Sequence, residues 1–180
     1  MQKKKGLWGP LIPTITNDVA TSLWNASSTP THRHVQDAER RSHGFTQRTR
    51  IAETSGKVCF AQSIPVLQAP KTNKRDARLF ITFRPNEKIS NEISTTAGYE
   101  FNKNNSVLAT SGNNKFKFDI KQQGFAWMTS KKKENIMVKV MKKGSRIMVA
   151  GYNEKGSQTI DHYSLLGFTK AYNTAKKACS

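Results

Sequence analysis

The run "NSVLATSGNNKFKFDIK" at 105–121 limits what this chain can fold into more than any other stretch. Phe116, Phe118 and Ile120 alternate with Lys117 and Asp119. That period of two fits a strand with one dry face and does not fit a helix. A second strand precedes "SGNN", so the run reads as a β-hairpin. Other stretches agree with it. "SGKVCFAQS" (55–63) is a short strand, and "ARLFITFRP" (77–85) places Leu79, Ile81 and Phe83 on one face before Pro85 stops it. "NEISTTAGYEF" (91–101) has strand composition with a bend or bulge at Gly98, and "QGFAWMTS" aligns Phe125 with Trp127.

Two segments read differently. Ile136, Met137, Val140 and Met141 lie at helical spacing, and "KKG" stops the pattern with cations and then glycine, so 132–143 is expected to be a helix, followed by a strand at 145–152. "TIDHYSLLGF" begins a further strand, and "GFTKAYNTAKKA" is expected to close the chain with a helix whose stripe is Phe168, Tyr172 and Ala175. The sum is mainly all-β: about seven strands in an antiparallel β-sandwich or partly open barrel, with one short inserted helix and a C-terminal helix.

Composition divides the chain near residue 55. From Gly6 to Gly56 there is no lysine, while 18 lysines follow from Lys57 onward. The stretch "NASSTPTHRHVQDAERRSHGFTQRTR" holds no period and too little apolar surface for a core. Residues 1–54 are therefore expected to be a disordered or irregular leader, and 55–180 the β domain. "MQKKKGLWGPLIPTI" has a basic start and a short apolar patch broken by Pro10 and Pro13, which makes it an atypical signal region. No run of 18 apolar residues occurs, so no transmembrane span is expected.

The chain holds two cysteines, Cys59 and Cys179, at the two ends of the patterned part. The residues alone leave two readings open: a bridge closing a very long loop, or two separate buried thiols in a cytosolic protein.

From Gly56 to Cys179 the sequence resembles the invasion-associated locus B (IalB) family of bacterial envelope proteins. The landmarks come in order: "GKVCFAQS", "RLFITFRPNEKISNEIS", "GYEFNKNNSV", "KFKF" with "AWM", "VMKKGSRIMVAG" and "TIDHYSLLGFTKAYNTAKKAC". The resemblance implies a secreted or periplasmic β domain with Cys59 bridged to Cys179. It brings no catalytic residues with it, and the first 55 residues do not share it.

Catalytic motifs do not appear. The only histidine of the folded part, His162, follows Asp161 directly, and strand neighbours point to opposite faces. No metal or cofactor is expected: His32, His34 and His43 fall in the unpatterned leader, which is not a preformed site. A formal charge of +18 favours anionic partners. Lys131, Lys132 and Lys133 precede the expected helix, and Lys142, Lys143 and Arg146 follow it. They form the candidate polyanion contact, as one cationic end of the domain. Phe116 and Phe118, interleaved with Lys115 and Lys117, read more readily as a half-buried strand than as a base-stacking platform. The leading expectation is a non-enzymatic, monomeric or weakly associating envelope protein that meets anionic envelope components or another protein. The alternative is a basic nucleic-acid-binding β domain.

Overall fold

A computed structural model describes residues 44–52, 56–71 and 74–180. Its strands pair antiparallel throughout and form two open sheets. In chain order they are β1 (Phe45–Ala52), β2 (Gly56–Ser63), β3 (Leu67–Ala69), β4 (Arg78–Arg84), β5 (Ile89–Thr96) and β6 (Val107–Ser111). After them come β7 (Asn114–Phe118), β8 (Ile120–Gln122), β9 (Phe125–Trp127), β10 (Arg146–Tyr152) and β11 (Gln158–Ser164). Helices α1 (Lys131–Lys143) and α2 (Phe168–Ala178) complete the described chain. One sheet has the order β1-β2-β4-β5-β9-β8 and the other β3-β11-β10-β6-β7. Neither closes on itself, so the expected sandwich is the architecture found and the barrel is not.

The core lies between the sheets. Cys59, Ala61, Leu79, Ile81, Phe83 and Ile93 enter it from the six-stranded sheet, and Val107, Ala109, Phe116, Phe118, Ile147 and Tyr163 from the five-stranded one. The period read at 115–119 is thus that of a strand dry on one side: Phe116 and Phe118 are buried while Lys115 and Lys117 are exposed. Each fully buried phenylalanine contributes about 2 kcal/mol of transfer free energy, which decides the register.

Both helices close the same core. Ser130 caps α1 by accepting from the Lys133 N–H at 3.4 Å. The inward stripe of α1 is Glu134, Met137, Val138 and Met141, the i, i+3, i+4, i+7 set, and Ile136 stays exposed. The expected stripe is therefore rotated by part of a turn. The stop at Gly144 also works differently from a left-handed cap, because its backbone is extended. A Cβ there would lie 3.0 Å from Leu165 Cδ1 and 3.2 Å from Ser111 Oγ, so glycine serves the close approach of β6 and the 165 turn. Helix α2 buries Phe168, Ala171, Tyr172 and Ala175, and the ring of Tyr172 packs edge-on against Phe83 with centroids 5.5 Å apart. Cys179, just past α2, is disulfide-bonded to Cys59 on β2, with Cα atoms 5.8 Å apart.

The boundary at residue 55 needs moving. Residues 45–52, expected within the irregular leader, form β1 and pair with β2 from Phe45↔Ser63 to Ala52↔Gly56. An edge strand satisfies its backbone on one neighbour, so β2 supplies the template that β1 does not advertise in its own pattern. The signal-region reading, and His32, His34 and His43, lie outside the described residues.

Candidate anion-binding face

The six cations named from sequence do not make one cationic end. Lys131, Lys132 and Lys133 form the first turn of α1, while Lys142 and Lys143 form its last and Arg146 opens β10. A helix rises about 1.5 Å per residue, so the centres of the two groups stand about 16 Å apart along its axis. All six are exposed. Lys142 is already engaged: its Nζ sits 4.1 Å from the centroid of Tyr172, whose hydroxyl donates to Asn91 Oδ1 at 2.8 Å. That contact ties α1 to α2. Lys121 is committed too, donating to the carbonyls of Asn102, Lys103 and Asn105 at 2.6–2.8 Å. Burial lowers its pKa.

Lys143 and Arg146 do come together. With Ser111, Gly112, Asn114, Val140, Gly144 and Ser145 they line an open groove of about 540 Å³. A second groove of about 420 Å³ lies on the other side of Arg146, lined by Val66, Leu67, Ser145, His162, Tyr163 and Ser164 as well. Arg146 therefore faces both.

The sheet register extends this site across the solvent face of the five-stranded sheet. Lys117, Leu108, Ala150, Ile160 and Ala69 stand side by side in one row. Lys115, Thr110, Met148, His162 and Leu67 form the next, and Arg146 pairs with Ser164 beyond it. The rows carry no carboxylate. Between the lysines and the β3 edge they are mostly apolar and partly open, with Leu108 and Leu67 at 39% and 46% exposed. Lysines lie at the β7 edge and Arg146 at the near end. Ile64, Val66 and Leu166, also exposed, add apolar surface at the turns. An arrangement of this kind offers cations and hydrocarbon to one flat partner. The only ring in those two rows is the imidazole of His162, and Phe116 and Phe118 point into the core, so the two phenylalanines form no base-stacking platform there. Lys115 and Lys117 are the part of this face that the α1-centred reading missed, although their alternation with Phe116 and Phe118 was the available signal.

His162 belongs to this outer face, whereas Asp161 turns inward. Asp161 accepts from Arg75 Nη2 at 2.7 Å and Nη1 at 3.0 Å, and from Gln68 Nε2 at 3.0 Å. Asp161 and His162 thus form no dyad. The buried pair instead fastens the segment around Arg75 to β11, with Tyr99 beneath the guanidinium at 5.7 Å. Among the described residues Glu134 is the carboxyl pushed toward neutrality, to about 7: burial raises it, the Ile93 N–H bond at 3.1 Å opposes this, and Glu92 adds repulsion. Among the described residues no group of three His, Cys, Asp or Glu side chains converges on a metal-sized site, and no helix is long and apolar enough to cross a membrane.

The chain matches no protein-family model, no curated protein and no solved structure.

Proposed function

We propose that this protein is a secreted or periplasmic envelope protein of the invasion-associated locus B type, which acts by binding rather than by catalysis. The carrying observation is the Cys59–Cys179 bond, since disulfides of this structural kind persist in oxidising compartments. The solvent face of the five-stranded sheet supplies the contact, and its partner is an anionic component of the envelope, with lipid headgroups the chemistry that suits cations around a hydrocarbon centre.

Co-sedimentation with vesicles tests this. The protein is expected to bind phosphatidylglycerol vesicles, to ignore phosphatidylcholine ones, and to release as salt rises. Each cation near such a surface contributes about 1 kcal/mol, so the triple change Lys115→Glu, Lys117→Glu, Arg146→Glu should weaken binding by about 100-fold or more. Equal binding to both vesicles would remove the face as the contact. Tighter, salt-sensitive binding to a single-stranded oligonucleotide by protein with two titratable thiols would favour the nucleic-acid reading instead.

A further inference from the structure

Strand β7 ends the five-stranded sheet, with β6 on one side and, among the described residues, no strand on the other. Its hairpin decides which backbone groups are left over. Ser111 and Asn114 pair across the two-residue turn Gly112–Asn113. Gly112 takes a φ of 56°, the left-handed start of a type II′ turn. Such a turn joins the Ser111 carbonyl to the Asn114 N–H, and the pairs beyond it alternate between bonded and unbonded. Phe116 and Phe118, opposite Ala109 and Val107, therefore exchange backbone bonds with β6. Lys115 and Lys117, opposite Thr110 and Leu108, turn their N–H and C=O groups to the open edge. Past them the Asp119 N–H donates to the Trp127 carbonyl at 2.8 Å, so the chain has already joined the other sheet.

An open edge accepts another strand, and the side chains around it select which. A second copy is refused. Two β7 edges paired antiparallel would set lysine beside lysine on one face, and like charges oppose that. The surroundings are cationic as well. Lys143 and Arg146 line the groove that begins beside Asn114, and among the described residues its lining holds no carboxylate. Asp119, the first acid along the chain, lies past the other end of the strand and accepts from Thr129 Oγ1 at 3.2 Å.

The opposite side of the edge is apolar. Helix α1 packs beside β7. Ile136 and Val140 lie about 120° and 160° round that helix from Lys142, the residue that meets α2. Val140 is half-buried and lines the groove, and Ile136 is exposed. An added strand here meets cations on its outer side and hydrocarbon on its inner one.

We infer that the β7 edge receives an extended acidic peptide as a sixth, antiparallel strand of this sheet. Its acidic residues stand directly opposite Lys115 and Lys117 and share their backbone bonds, while the alternate, apolar residues face Val140 and Ile136. Main-chain bonds provide the attachment and the alternation provides the choice of partner. The contact is the strand's edge rather than the open face of the sheet, and it does not rest on the envelope reading.

The test uses the unaltered full-length protein, ¹⁵N-labelled, and a peptide of about eight residues that alternates glutamate with valine. The amide signals of Lys115 and Lys117 are expected to shift on titration, and their exchange with solvent to slow. Methylating the glutamate nitrogens removes the N–H groups that face β7 and should weaken binding by about tenfold or more. Methylating the valine nitrogens, which face away, should change it by less than about twofold. Lysine in place of glutamate should abolish it. The inference is overturned by no shift at about 1 mM peptide, by shifts that leave Lys115 and Lys117 unmoved, by equal effects of the two methylations, or by equal binding of the lysine peptide.

Discussion

Replacing Cys59 and Cys179 together by alanine should lower the melting temperature by about 10–20 °C. The bond closes a loop of 120 residues, nearly the whole β domain. In the chain-entropy account such a loop removes about 5 kcal/mol of freedom from the unfolded state. For a domain of this size each kcal/mol shifts the midpoint by roughly 2–4 °C. Cys59 is wholly buried and Cys179 nearly so, and the lost sulfur packing acts in the same direction. The assay is a far-UV circular dichroism melt of the full chain, beside the parent with and without a phosphine reductant. Amide exchange should quicken first in α2, which then holds on by its buried stripe alone. A double variant melting within about 3 °C of the parent would show that the constraint on the unfolded chain does not govern stability here.

Glu134→Gln should stabilise the protein at alkaline pH. A folded-state pKa raised from 4.5 to about 7 means that the carboxyl's favourable share is complete below about pH 4.5 and is lost as the pH climbs through 7. Gln keeps the acceptor for the Ile93 N–H, so urea denaturation at pH 8.5 should show a gain of about 2 kcal/mol after allowance for solvent near the exposed first turn, shrinking toward pH 5. A gain of equal size at both pH values would point to packing instead. Asp161→Ala, which strands the Arg75 guanidinium, should cost about 3–5 kcal/mol, whereas Arg75→Met with Asp161→Leu should cost far less; equal losses in denaturation would contradict the account of a desolvated pair.

Legibility followed burial on one side. The hairpin at β6–β7 and strand β4 could be read because a single dry face imposes its period on five or more residues. Strands β3 and β8, three residues each, are too short to display one. Strand β1 hid because an edge strand borrows its register from β2. The α1 stripe was misread because Glu134 occupies an inward position, and no hydrophobic pattern anticipates a buried carboxyl that caps the Ile93 N–H. The candidate site suffered most. Six cations close in sequence looked like one patch, but residues 134–141 of the helix hold them apart, while Lys115, Lys117 and Arg146 share a face only through the strand order β10-β6-β7.

The bond at Cys179 also decides how the molecule carries load. Tension arriving at that residue does not unwind α2 turn by turn, because it passes through the sulfurs into Cys59 on β2. Strand β2 is held by β1 on one side and β4 on the other, so the force is shared by two hydrogen-bonded ladders at once. A domain fixed to a surface through this end would resist like a riveted plate, and it would let go only when the sheet itself shears.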